Sequence, residues 1–152
     1  MTHTTEQAAQ QKNGEHIHIT DMEAAINYWR VQAPIGAGAA LAPMTAALAE
    51  IYARMICSMQ DTVPVAQLSA LALQAWLAWY DKQPDTPCIA ICSTSQGDAL
   101  CKGCGRSFEE VQHWPAMTPF AKRRVWRRIA QEGTSWRFNR YAERAVERLT
   151  EK

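Results

Sequence analysis

Four cysteines fall within 17 residues as Cys88-x3-Cys92-x8-Cys101-x2-Cys104, and they are the residues here whose type and spacing can do chemistry. Two close pairs joined by a short loop can bring four sulfurs to the corners of a tetrahedron, which is how Zn²⁺ is held in closed structural sites. Iron–sulfur clusters use the same four thiolates with more varied spacings. The second pair reads Cys101-Lys-Gly-Cys104-Gly105-Arg106. Glycines at 103 and 105 let the backbone bend tightly and turn its amides toward the sulfurs. Lys102 and Arg106 offset the negative charge that four thiolates leave on a divalent ion. A metal would also contribute to folding, because residues 88–104 carry too few apolar side chains for a core of their own. The three-residue gap in the first pair departs from the commonest zinc spacing, and neither the bacterial ferredoxin run nor the plant-type spacing is present. From the residues alone, zinc leads and an iron–sulfur centre follows.

His113 lies nine residues past Cys104 and is a second-shell donor or spare ligand to such a site, although four sulfurs already complete it. Cys57 stands alone inside an apolar helical stretch and is expected to be a buried thiol packing as a small hydrophobe. The basic run Lys122, Arg123, Arg124, Trp126, Arg127 and Arg128 is the other feature with a chemical reading. On a helix it would cluster cations on one side of an exposed Trp126, a patch able to meet phosphates and stack on a base. The same patch also serves as an ordinary solvated or partner-docking face. No glycine-rich phosphate loop or Ser/His/Asp set accompanies these residues, and four thiolates leave no open coordination position, so no enzyme is expected.

Cys88-Ile-Ala-Ile-Cys92, Cys101-Lys-Gly-Cys104-Gly105-Arg106, His113-Trp-Pro115, Met117-Thr-Pro and the run Lys122 to Ile129 together resemble the YdhL-like family. These are short bacterial proteins of unknown function described as Fe–S proteins. The resemblance covers about residues 88–130 and implies a metal centre on Cys88, Cys92, Cys101 and Cys104. It brings zinc and an iron–sulfur cluster to near even. Residues 19–81, from Ile19-Thr-Asp-Met-Glu-Ala-Ala-Ile-Asn-Tyr-Trp-Arg30 onward, are similar to an uncharacterised proteobacterial helical domain.

The elements that must position these residues read as helices. Residues 1–18 are polar and aperiodic and are expected to form a disordered leader. Thr20 and Glu23 have capping-box spacing ahead of a helix from Asp21 to about Val31, with Met22, Ala25, Ile26 and Trp29 on one face. A second helix is expected over Pro43–Met59, with Met44, Leu48, Ile51, Tyr52 and Met55 inward, then a turn at 61–64 and a third helix over 66–80. Residues 82–87, with Pro84 and Pro87, read as a linker to a four-cysteine domain over 88–152 with a helical tail. Ser107 and Glu110 cap a short helix over 108–114, Thr118-Pro119 starts another that ends near Gly133, and a last one is expected over 136–149. The fold class is all-α with a small four-cysteine knuckle: a three-helix unit over 19–81, then the knuckle and three helices.

Apolar residues make up 47% of the chain, enough to bury a core, and the formal net charge is +1. The charge is unevenly spread: residues 1–85 hold four Lys/Arg against eight Asp/Glu, and residues 118–152 hold ten against four. The most apolar window, 63–80, is broken by Gln67, Ser69 and Gln74 and reads as a buried helix, not a bilayer span. With no signal-like apolar stretch near the start, a cytoplasmic location follows, where clustered cysteines stay reduced and bind metal sooner than pair as disulfides. The expected role is a small intracellular metal-binding protein acting as a binding or adaptor module for a protein partner. An iron–sulfur redox protein is the first alternative and a nucleic-acid binder the second.

Overall fold

The structure is a computed structural model that describes residues 14–32 and 42–138. It divides at Gln83/Pro84 into two compact units. The first opens with strand β1 (His16–His18), which runs directly into helix α1 (Ile19–Gln32). Helix α2 (Pro43–Cys57), strand β2 (Thr62–Pro64), a 3-10 turn at Val65–Gln67 and helix α3 (Ala70–Tyr80) complete it. β1 and β2 pair antiparallel with Ile17 opposite Val63, and Val65 N–H donates to Glu15 O at 2.9 Å.

This small sheet corrects two expectations. The fold is mostly helical but not all-α, and residues 16–18 are not part of a leader; residues 1–13 lie outside the described residues. Burial decides the matter: Ile17 and Val63 are the inward residues of their strands, 1% and 5% exposed, whereas the flanking histidines face outward. The Thr20/Glu23 capping box is also absent, because Thr20 lies within α1. The ring of His18 takes that place, its Nδ1 accepting the Thr20 amide at 3.2 Å and standing 2.9 Å from Thr20 Oγ1. The expected turn at 61–64 is β2, and the third helix begins later, at Ala70, where Ser69 Oγ accepts the Ala72 amide.

The core of this unit follows the helical periodicity. Met22 and Ala25 of α1, Leu48, Ile51 and Met55 of α2, and Ala72, Ala75, Trp76 and Trp79 of α3 are all buried. Trp29 is half-buried and its indole N–H donates to the Ala75 carbonyl at 3.0 Å, tying α1 to α3. Trp76 stacks on Tyr80 and meets Trp79 edge-on. Cys57 corrects its expectation: it is exposed, at the end of α2 where the apolar face has already passed.

The second unit carries helices α4 (Phe108–His113) and α5 (Pro119–Glu132), joined by a 3-10 turn at Trp114–Ala116. Both starts are set by the residues expected to set them. Ser107 and Glu110 form a reciprocal capping box, with the Ser107 amide donating to the Glu110 carboxylate at 2.8 Å. Thr118 caps α5 ahead of Pro119, and Gly133 closes it at φ +60. Trp114, Val125 and Ile129 form the apolar core, with Met117 and Trp126 packed against it. Residues 136–138 are helical; the remainder of the helix expected over 136–149 lies outside the described residues. Among the described residues no helix is long and apolar enough to cross a membrane.

Candidate metal centre

Among the described residues of this unit the core of Trp114, Val125 and Ile129 is flanked by the buried cysteines Cys101 and Cys104. Cys101 to Arg106 is a tight hairpin turn. Leu100 bridges to Ser107, Cys101 N–H donates to Arg106 O at 2.8 Å, and Gly105 N–H donates to Cys101 O at 2.7 Å. Gly105 takes φ +83, and a Cβ there would meet Ile129 Cγ2 at 3.1 Å, so the turn sits directly on the core through a residue that must be glycine. Gly103 is held even more tightly. A Cβ would stand 2.5 Å from the Ile91 carbonyl oxygen, which places the second cysteine pair against the backbone of the first.

Three of the four sulfurs have a polar partner two residues on. The Ala90 amide donates to Cys88 Sγ at 3.3 Å, and Thr94 Oγ1 stands 3.1 Å from Cys92 Sγ. Arg106 Nε stands 3.4 Å from Cys104 Sγ, whereas the Cys101 thiol donates to the Ile91 carbonyl at 3.3 Å. To serve Cys88, Ala90 adopts φ +65, a conformation that costs a non-glycine residue roughly 1–2 kcal/mol. Such strain is kept where the surroundings over-determine it, and its place between two candidate ligands is notable.

The second pair is buried, Cys101 at 2% and Cys104 at 1% exposure, whereas Cys92 is half-buried and Cys88 exposed. Burial pushes the Cys101 thiol up. Backbone bonds from Ser93, Cys104 and Gly103, with the Cys104 side chain, outweigh it and hold Cys101 at about 7. Burial pushes the Cys104 thiol up as well, and there it prevails over the pull of the Arg106 guanidinium, amide and charge. Arg106 is itself 5% exposed; its Nε donates to Cys104 Sγ at 3.4 Å and its Cζ lies 4.6 Å over the Trp114 ring.

Four thiols on one loop segment are the donor set of a four-thiolate centre, Arg106 is a buried cation beside Cys104, and Gly103 brings the backbones of the two pairs into contact. The four sulfurs are not drawn together, however. Among the described residues no three His, Cys, Asp or Glu side chains stand close enough to hold an ion. His113 is exposed and its Nδ1–H donates to Glu109 O within its own helix.

The basic run of α5 is largely engaged within the unit. Lys122 pairs with Asp85 at 2.7 Å and lies 5.5 Å over Trp114. Arg128 pairs with Glu110 at 2.6 Å and Glu132 at 3.1 Å, and also donates to Gly105 O. Those carboxylates more than offset burial and raise the Arg128 pKa. Trp126, expected to be exposed, is half-buried, with Arg137 4.6 Å over its ring and its indole N–H 3.5 Å from Asp85 O. Arg124 is exposed, while Arg123 and Arg127 are half-buried. Two participants carried no sequence signal. Asp85, placed by sequence in a linker, also accepts from the Trp114 indole at 3.3 Å. Arg137 donates to Pro87 O at 2.9 Å. Charged residues flanking a cysteine motif are too common to single these out.

No curated protein and no solved structure matches this chain. The YdhL-like resemblance of residues 88–130 and the helical-domain resemblance of residues 19–81 each meet one family model, and neither description carries the YdhL-like name. Residues 15–81 match a family described as protein of unknown function DUF3717, and residues 86–133 match a second, protein of unknown function DUF1289.

Proposed function

We propose that Cys88, Cys92, Cys101 and Cys104 bind one metal centre that is structural, and that the protein acts as a non-enzymatic binding module for a protein partner. The observation that carries this reading is the contact between the two cysteine pairs: Gly103 packs against the Ile91 carbonyl, while the Ala90 amide, Thr94 Oγ1 and Arg106 Nε lie within hydrogen-bonding distance of the Cys88, Cys92 and Cys104 sulfurs. Thiolate is the form of cysteine that binds metal, and a bound metal ion itself supplies the positive charge that keeps the sulfur deprotonated. Because Cys101 and Cys104 are buried beside the core helix, such a centre would have a folding role. Support for a binding role comes from the exposed large apolar side chains of this unit. Ile91, Leu100 and Phe108 lie in or beside the cysteine segment, and Trp136 and Phe138 lie on the segment bonded to it.

Zinc and an iron–sulfur cluster share this donor set, and one measurement separates them. Protein purified without air is assayed for metal, inorganic sulfide and visible absorption. About one zinc per chain with no visible band supports the structural reading. Iron with sulfide and a charge-transfer band makes the redox alternative the better one. No metal, or metal unchanged in a Cys101→Ser, Cys104→Ser variant, rejects the centre.

A further inference from the structure

The segment Ser135–Phe138 is fastened to the cysteine loops at three backbone points. The Trp136 amide donates to Lys102 O at 2.9 Å and the Arg137 amide to Gly103 O at 3.0 Å, the two carbonyls that lie between Cys101 and Cys104. The Arg137 guanidinium reaches Pro87 O, immediately before Cys88, at 2.9 Å while stacking over Trp126 of α5. One short segment therefore touches both cysteine pairs and the core helix. Ser135 is 4% exposed and its Oγ has no partner, so its own side chain adds a penalty to docking rather than a hold.

We propose that metal binding at the four-cysteine centre and docking of Ser135–Phe138 are one coupled equilibrium, so that the metal governs whether Trp136 and Phe138 are presented beside the cysteine loops. This rests on the metal-centre reading. Its physical basis is that the directions of the Lys102, Gly103 and Pro87 carbonyls are set by the two cysteine turns. Ligation would fix the two turns to each other; without it the second turn keeps its own hydrogen bonds and its seat on Ile129, but only the Gly103–Ile91 contact and the Cys101–Ile91 hydrogen bond tie it to the first. The Trp136 and Arg137 amides then lose their acceptors together, and the unpaired Ser135 hydroxyl returns to water. Coupling between two binding events is reciprocal, so a weakened dock must also weaken metal retention.

The test compares amide hydrogen exchange in the full chain as isolated, after chelator stripping under thiol-reducing conditions, and after reloading with Zn²⁺. Stripping is expected to speed exchange at Trp136 and Arg137 by tenfold or more, with reloading restoring it and the amides of α2 unchanged. As a second arm, Arg137→Ala leaves all four cysteines in place and is expected to release metal to a competing chelator at about tenfold lower concentration, the scale of outer-shell effects. Removal of metal with protection retained at Trp136 and Arg137 overturns the coupling and leaves the metal centre standing. Unchanged metal retention in Arg137→Ala does the same. A protein that takes up no metal at all removes both.

Discussion

The Nε of Arg106 donates to the Sγ of Cys104 at 3.4 Å while its guanidinium lies 4.6 Å over Trp114. A cation this deeply buried requires compensation, and the sulfur and the aromatic face are what it meets. With Cys104 as a ligand thiolate the bond is charge-assisted; with a neutral thiol the guanidinium would be held mainly by the ring. The two cases respond oppositely to Arg106→Leu. Replacing an uncompensated buried charge by an apolar side chain is neutral or stabilising. Removing a partner of a metal ligand lowers metal affinity about 10- to 100-fold. Chelator competition and thermal melting of Arg106→Leu are expected to show the second behaviour. Unchanged metal retention with an equal or higher Tm would count against Cys104 as a ligand.

Gly103 gives a test of the packing between the two cysteine pairs. A methyl group there would meet the Ile91 carbonyl oxygen at 2.5 Å, and backbone cannot move aside as a flexible side chain can. Gly103→Ala is expected to destabilise the second unit by about 1–3 kcal/mol, the scale of overpacking. Denaturant unfolding followed by near-UV signals reads this directly, and a variant as stable as the parent would mean that Ile91 and Gly103 do not meet.

Ser135 has the opposite expectation. Its buried hydroxyl is unpaired, and deleting such a group removes a desolvation penalty at little steric cost. Ser135→Ala is expected to stabilise the second unit by about 0.5–1 kcal/mol. A loss of stability would show that the hydroxyl has a partner in solution.

What could be read from the residues alone, and what could not, divides along a physical line. Local signals read well: Ser107 with Glu110, and Thr118 with Pro119, start α4 and α5 because a cap depends only on residues three or four apart. The apolar stripes of α1 and α2 likewise needed nothing beyond periodicity. Long-range signals did not read. Three-residue strands have no room to display alternation, and the pairing of Ile17 with Val63 spans 46 residues. Thr20 and Glu23 carry valid capping spacing, yet a strand feeding straight into the helix moved its start. Asp85 looked like linker because its partners Trp114, Lys122 and Trp126 come from 29 to 41 residues away.

Ile17 makes the sheet testable. It is 1% exposed in a strand of three residues, so its burial rather than its few hydrogen bonds must hold β1 in place. Ile17→Ala is expected to cost about 2–5 kcal/mol, the range for a buried aliphatic side chain cut to alanine. Thermal unfolding of the full chain measures it. A cost below about 0.5 kcal/mol, typical of exposed positions, would return residues 16–18 to an unstructured leader.

Arg128 separates a structural from a nucleic-acid role for the basic helix. Its guanidinium spans Glu110 on α4, Glu132 on α5 and the Gly105 carbonyl, so it ties the cysteine turn to both helices. The side chain is 34% exposed, which reduces the value of these pairs through solvent screening. Arg128→Ala is therefore expected to cost about 0.5–1.5 kcal/mol of stability, more than an isolated surface pair gives, because Gly105 loses a donor too. Fluorescence anisotropy with labelled single-stranded DNA supplies the contrast. A phosphate-binding helix would show affinity that falls steeply with salt and weakens further in an Arg123→Ala, Arg124→Ala, Arg127→Ala variant. The expectation is weak binding that this variant does not alter, since Lys122, Trp126 and Arg128 are already engaged within the unit. Salt-sensitive binding abolished by the triple variant, with Arg128→Ala fully stable, would reverse that assignment and make α5 a nucleic-acid surface.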